Sequence, residues 1–372
     1  MAFPDGWTKR WPININADSV TTGLVSDWPC LVTDQHFPAA AWANLQATGA
    51  DLRFSSDEAG LTELYYDAPR LDVAGQEAHL YVRVPSLLAS EDTVIYGWCG
   101  NAGASAPSAA WKQNTYQSDI VGWWPMEEGT GITVGDRTSN ANHGTMTNMD
   151  PGTDWVQDAN GDWAIDFDGT NDCIDLGTNV MNGLSDYTVL AYVYGADGAF
   201  AKDRAIFGYW TAGANQQLAC WMDNYTPDRW GMALRDSGFT IEIGYGGTAT
   251  EKIWTHLGLR WDGDVSDAVS IYVDGVNVTS AISGSGGGAI LTSGANNLIG
   301  ADQDRGNWMG RIAHIAVGDS LTSDEIACHH LMLSDPATWA TAGALESTGA
   351  GGPYLYHGRA LGRIGPSMAG VR

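Results

Sequence analysis

Positive charge is what this chain has least of. It carries 18 Lys and Arg against 44 Asp and Glu in 372 residues, a formal net charge of −26. Nucleic-acid binding depends on Lys and Arg displacing the counterions of phosphates, so this composition excludes nucleic acid as a partner. Docking on anionic lipid is excluded for the same reason. The negative charge itself favours solubility and self-repulsion between copies. Long apolar runs are missing too. None reaches the ~18 residues of a membrane span, which excludes insertion by a helix. The first residues, MAFPDGWTKRWPININ, lack the apolar centre of a secretory leader, so any route out of a cell is expected to bypass one. Five cysteines, Cys30, Cys99, Cys173, Cys220 and Cys328, stand far apart without a Cys-x-x-Cys. That cysteine spacing fits neither a disulfide framework nor a zinc site, and buried thiols in a chain folded in a reducing cytoplasm are expected.

What is abundant is glycine (47) and tryptophan (17). Many short apolar runs are separated by Gly, Asp and Asn, the composition of an all-β protein. The clearest stretch is Trp254 to Val278. His256, Gly258 and Arg260 alternate with Leu257, Leu259 and Trp261, and Val269, Ile271 and Val273 alternate with Ser270, Tyr272 and Asp274. Period two marks half-buried strands. Asp274-Gly275 supplies the positive φ angles of a tight hairpin turn. A three-strand antiparallel meander results, with an apolar face that must pack on something.

Taken in order, residues 1–101 form a first β-unit, closed by His79–Val84 and Thr93–Asn101, with a short helical stretch at Ala39–Leu45. Residues 102–118 are small and lack apolar periodicity, which makes them a linker. Residues 119–335 hold at least ten strand-like runs and one late helix. Thr322 and Glu325 form a capping box at its start, and it runs to about Leu333. Two packed antiparallel sheets, a jelly-roll β-sandwich, are the economical arrangement. Residues 336–372 are read as a C-terminal tail.

Six motifs in register carry a resemblance. They are Trp123-Trp124-Pro125-Met126-Glu127-Glu128-Gly129; Asp136 with Asn142-His143-Gly144; Phe167-Asp168-Gly169 with Ile174; Trp254-Thr255-His256-Leu257; Ile271-Tyr272-Val273-Asp274-Gly275; and Gly310-Arg311-Ile312 leading to Leu321-Thr322 and Glu325-Ile326. Together they resemble the laminin-G-like, concanavalin A-like lectin family over residues 119–335. The first unit is similar to a small β-domain found beside such domains in bacterial, archaeal and phage surface proteins. Gly49–Phe54, Tyr81–Pro85 and Tyr96–Asn101 carry that likeness, with Cys99 where an aromatic is usual. The resemblance implies a concanavalin A-like jelly roll after a smaller β-sandwich, and an extracellular or virion-surface part.

Candidate sites follow from side-chain chemistry. Sugars stack on aromatic faces and hydrogen-bond to Asp, Asn and Arg. Trp221, Asp223, Asn224, Tyr225, Arg229 and Trp230 offer that mixture, as do Asp302 and Trp308. The competing role for the tryptophans is core packing. Asp158, Asn160 and Asp162 place oxygens at alternate positions, which suits calcium, although Trp163 stands where an EF-hand has glycine. The competing role there is an Asn-Gly turn. Hydrolases of this fold commonly carry Glu-x-Asp-x-x-Glu on one strand. That run is missing, and Glu242 is a lone strand carboxylate, so no catalysis is expected. His329-His330 point about 100° apart on a helix and cannot converge on one metal. The tail carries Tyr354, Tyr356, Arg359, Arg363 and Arg372 without an acid after Gly349, which suits docking on an acidic neighbouring subunit; the competing reading is a frayed Gly-rich end. The resulting expectation is a non-enzymatic, oligomeric structural protein of a tailed-phage virion, in its capsid decoration, tail tip or fibre. It would be made in the host cytoplasm, touch other virion proteins and contact host glycans. The alternative is a carbohydrate-binding or adhesion module on a cell surface.

Overall fold

Alternation sorts most of this chain into antiparallel sheets. The computed structural model describes residues 3–20, 23–158, 161–184, 186–210, 217–235, 241–263, 269–284, 290–319 and 321–348. An eight-stranded sheet centres on Met309–Gly318, Tyr187–Gly195, Trp254–Trp261 and Val269–Val273, in that spatial order. A nine-stranded sheet centres on Ile241–Gly246, Arg229–Arg235, Leu218–Asp223 and Arg204–Tyr209. Their facing side chains make one core. Phe167, Val189, Leu257, Ile271 and Ile312 come from the first sheet, and Ile174, Phe207, Cys220 and Met232 from the second. The expected meander is present: Leu257 pairs with Val273, Leu259 with Ile271 and Trp261 with Val269.

The meander is covered on both faces. Its polar-looking side meets a second core formed with the first unit. Tyr272, Leu190, Ala316 and Trp123 of the eight-stranded sheet pack there with Trp28, Val32, Leu80 and Val82. The helix Ser323–Ser334 adds Ile326 and Met332 to this layer. Gly258 lies beneath it, where a Cβ would come within 2.6 Å of Ile326. The capping box forms as expected: Thr322 N–H donates to Glu325 Oε2 at 2.7 Å, and Glu325 N–H donates to Thr322 Oγ1 at 3.2 Å.

The first unit has two sheets. Leu24–Thr33, Glu77–Leu88 and Tyr66–Asp72 form a three-stranded sheet. Lys9–Ile15 and Thr93–Cys99 lie within a six-stranded one. The stretch read with the tail contributes to this second sheet. Ala340–Ala342 and Glu346–Ser347 both pair with Lys9–Ile15. The linker region is packed rather than loose: Ala109–Gln113 is a short helix capped by Ser108, and Trp111 lies 4.5 Å from Tyr65 between ring centroids. Asp67 of the first unit takes a two-pronged ion pair from Arg137 across the junction, at 2.7 and 2.8 Å. Among the described residues, no helix is long and apolar enough to cross a membrane. Cys30, Cys99, Cys220 and Cys328 are buried thiols, and Cys173 is half-buried.

Candidate functional site

The outer face of the nine-stranded sheet is set by parity. In Leu218–Asp223 the even positions face the core, so Ala219, Trp221 and Asp223 face out. In Arg229–Arg235, Trp230, Met232 and Leu234 face the core, leaving Arg229 and Gly231 outside. Register then places Trp221 beside Gly231, and Gly231 beside Tyr245. The indole of Trp221 lies over Gly231, where a Cβ would sit 2.7 Å from Cε2. Its ring meets Tyr245 edge-on at 5.7 Å.

Two arginines complete a ladder of rings and cations. The Arg305 guanidinium lies 3.9 Å from the Trp221 ring centre and is held by Asp302, Nη1 to Oδ2, at 2.6 Å. The Arg229 guanidinium sits 3.7 Å from the Tyr245 ring and 4.2 Å from the Tyr225 ring, with Asp223 Oδ2 2.6 Å from its Nε. Each such contact contributes roughly 0.5–1 kcal/mol at exposed sites. The ladder stiffens a surface that would otherwise carry flexible side chains. Its outer rung is the Tyr225 ring, with the residue 60% exposed.

Beside the ladder lies an open depression of about 420 Å³, lined by Lys202, Asp203, Asn224, Asp304, Arg305 and Gly306. The Asn224 N–H donates to Asp203 Oδ1 at 2.9 Å, and its side-chain amide donates to the Phe200 carbonyl. A second depression of about 610 Å³ adjoins it at Ala201 and is bordered by Asp197, Asp228, Glu251 and Lys252. Amides, carboxylates and cations beside an exposed ring are the groups that a polyhydroxylated ligand uses.

The structure brings part of the expected sugar set together and removes the rest. Asn224 lies at the depression, Tyr225 follows it in the chain with its ring against Arg229, and Arg229 pairs with Asp223. Trp221 faces outward, but Arg305 covers it and leaves it 3% exposed, so it is a support and not a platform. Trp230 and Trp308, expected as sugar contacts, are core residues at 1% and 0% exposure, stacked 6.5 Å apart inside the sandwich. Parity turns Trp230 inward. Asp302 is fully buried, accepting from the N–H groups of Asp304 and Arg305 while it aims the Arg305 side chain. Glu242 also faces inward, where it accepts the Val269 N–H at 3.0 Å.

In the expected calcium loop, Asp158 Oδ1 accepts the Asp162 N–H at 3.1 Å, and the Asp162 carboxylate turns instead to Arg70 at 2.8 Å. Asn160 lies outside the described residues, as do Tyr354, Tyr356, Arg359, Arg363 and Arg372 of the tail. Sequence reasoning passed over Lys202, Asp203 and Tyr245. Alternation along Ile241–Gly246 was the available signal for Tyr245, since it shares a side with Ile241 and Ile243.

The model of the concanavalin A-like lectin/glucanases superfamily matches residues 168–327. This stretch belongs to that superfamily. The matched stretch contains the ladder and the depression. No curated protein matches the sequence. Among solved structures, domain 4 of an extracellular arabinanase from Geobacillus stearothermophilus, in complex with arabinotriose, is 18% identical with a TM-score of 0.42, over 57% of this chain and 98% of that one. The binding domain of Paraclostridial Mosquitocidal Protein 1 is 10% identical with a TM-score of 0.43, over 58% and 53%. Trypanosoma rangeli sialidase is 14% identical with a TM-score of 0.41, over 72% and 42%.

Proposed function

We propose that the lectin domain binds a glycan at the depression beside Tyr225, without catalysis, as the surface-exposed part of a tailed-phage structural protein. The observation that carries glycan binding is the exposed Tyr225 ring, held against Arg229, on the residue that follows Asn224, which lines a depression with Asp203, Asp304 and Lys202. A sugar would stack its apolar C–H face on the ring and direct hydroxyls toward the amide and carboxylates. The non-catalytic reading is supported by Glu242, the strand carboxylate, which is turned into the core and engaged by a backbone N–H. The virion setting is supported by the acidic balance and by four buried thiols and one half-buried one, which fit a chain folded in a reducing cytoplasm.

Glycan-array screening followed by calorimetry tests the binding. Tyr225→Ala is expected to weaken affinity on the order of tenfold, about 1.4 kcal/mol, while the thermal midpoint falls only slightly, by the loss of one exposed cation-π contact. Wild-type protein that captures no glycan, or a Tyr225→Ala protein that binds like wild type, removes the proposal. Mass spectrometry of purified particles tests the virion setting.

A further inference from the structure

We propose that His79, Glu127 and Asp162 bind one divalent transition-metal ion of the zinc class, which clasps the first unit to the β-sandwich. The three groups come from separate places in the chain. His79 lies on Glu77–Leu88 of the three-stranded sheet, Glu127 follows Ile120–Trp124, and Asp162 precedes Trp163–Asp168. One ligand atom from each lies within 4.8 Å of the others. His79 Nδ1 is 3.3 Å from Glu127 Oε1 and 3.4 Å from Asp162 Oδ1. Zinc bonds of ~2.0–2.1 Å in a tetrahedron put neighbouring ligand atoms about 3.3–3.4 Å apart. The two edges that meet at His79 Nδ1 match those of a tetrahedral site, and the third lies within 4.8 Å.

The surroundings are those of a built site. His79 Nε2 lies 3.0 Å from the Tyr81 hydroxyl, which fixes the ring with Nδ1 turned to the two carboxylates. Arg70 supports both carboxylates, with Nε 3.2 Å from Glu127 Oε2 and Nη2 2.8 Å from Asp162 Oδ1. That is one positive charge against two negative ones. The Glu127 side chain is 1% exposed, and its Oε2 has no hydrogen-bond partner in spite of the nearby guanidinium. Asp162 keeps 32% of its side chain exposed, so an ion has a way in and a water has room at a fourth corner. An imidazole nitrogen with two carboxylates selects zinc-class ions over calcium or magnesium, which prefer six or more oxygens. The inference stands whether or not the sandwich binds a glycan.

The full chain, stripped with a chelator, is titrated with Zn²⁺ by calorimetry and its metal content is measured. One ion per chain is expected, with a rise of several degrees in thermal midpoint, because a ligand of the folded state stabilises it. Substitution with Co²⁺ should give the intense visible absorption of a tetrahedral centre. His79→Ala and Glu127→Gln are each expected to weaken binding by 100-fold or more, and Asp158→Asn in the same hairpin should leave it unchanged. Wild-type protein that binds no Zn²⁺ at micromolar concentration overturns the proposal and leaves an ion-pair network. So does binding that survives Glu127→Gln, or a preference for Ca²⁺ or Mg²⁺. The wild-type titration decides the matter even if a variant fails to fold.

Discussion

Gly231 decides how the outer face of the nine-stranded sheet is laid out. Its missing side chain lets the Trp221 indole lie flat across the strand and reach Tyr245. Gly231→Ala puts a methyl 2.7 Å from that ring, so the indole must tilt and the Arg305 contact above it must shift. We expect a stability loss of about 1–3 kcal/mol from overpacking, and glycan affinity reduced by roughly tenfold. Chemical denaturation and calorimetry check the two effects separately. The parity behind this arrangement was readable from the sequence. If Arg229 faces out, Trp230 must face in. What the sequence could not show was that Arg305, distant in the chain, covers Trp221, or that Asp302 is consumed in holding that arginine.

The elements around the helix Ser323–Ser334 show both kinds of outcome. Its start was legible because Thr322 and Glu325 satisfy each other's backbone N–H groups locally. The strands after it were not, since Ala340–Ala342 and Glu346–Ser347 have no apolar alternation. They are strands because the edge of Lys9–Ile15 offers them hydrogen bonds. A chain ended at Asp335 loses this cover and the buried Trp339. It should melt at a lower temperature and associate through the exposed edge. Thermal unfolding and light scattering would show this, and a truncated protein that is monomeric and equally stable would refute it.

Across the whole molecule, the two units share one core, and histidines sit at its centre. His256, His314 and His329 are fully buried, and burial holds all three imidazoles well below their ordinary value. His256 Nε2 and His329 Nδ1 lie 2.8 Å apart, a hydrogen bond that needs one of them to be an acceptor. Trp123 from Ile120–Trp124, Trp28 from Leu24–Thr33, and Tyr81 surround them. His330 faces Asp274 at 3.9 Å at the rim. For groups with a depressed folded value, the stability they support is present above ~6.5 and is lost as pH falls below it. His79, held above its ordinary value, and Glu127, pushed up by burial to about 7, act in the opposite sense. The three deeply buried imidazoles outweigh them, so the thermal midpoint should fall between pH 7 and pH 5 in chelator-treated protein. His314→Gln should flatten that slope, and an unchanged slope would count against the histidines as its cause.

The sequence by itself determined the local events: strands from alternation, turns from Asp-Gly, the helix start from Thr322 and Glu325, and the membership of residues 168–327 in a known superfamily. These depend on backbone geometry and on side chains a few positions apart. Tertiary structure decided which faces are covered and which polar groups meet. Trp254–Trp261 reads as a strand with one wet face, yet helix and first unit bury that face too. His79, Glu127 and Asp162 converge although 83 positions separate the first from the last. No local pattern encodes such meetings, because they arise only when folding removes both surfaces of a sheet from water.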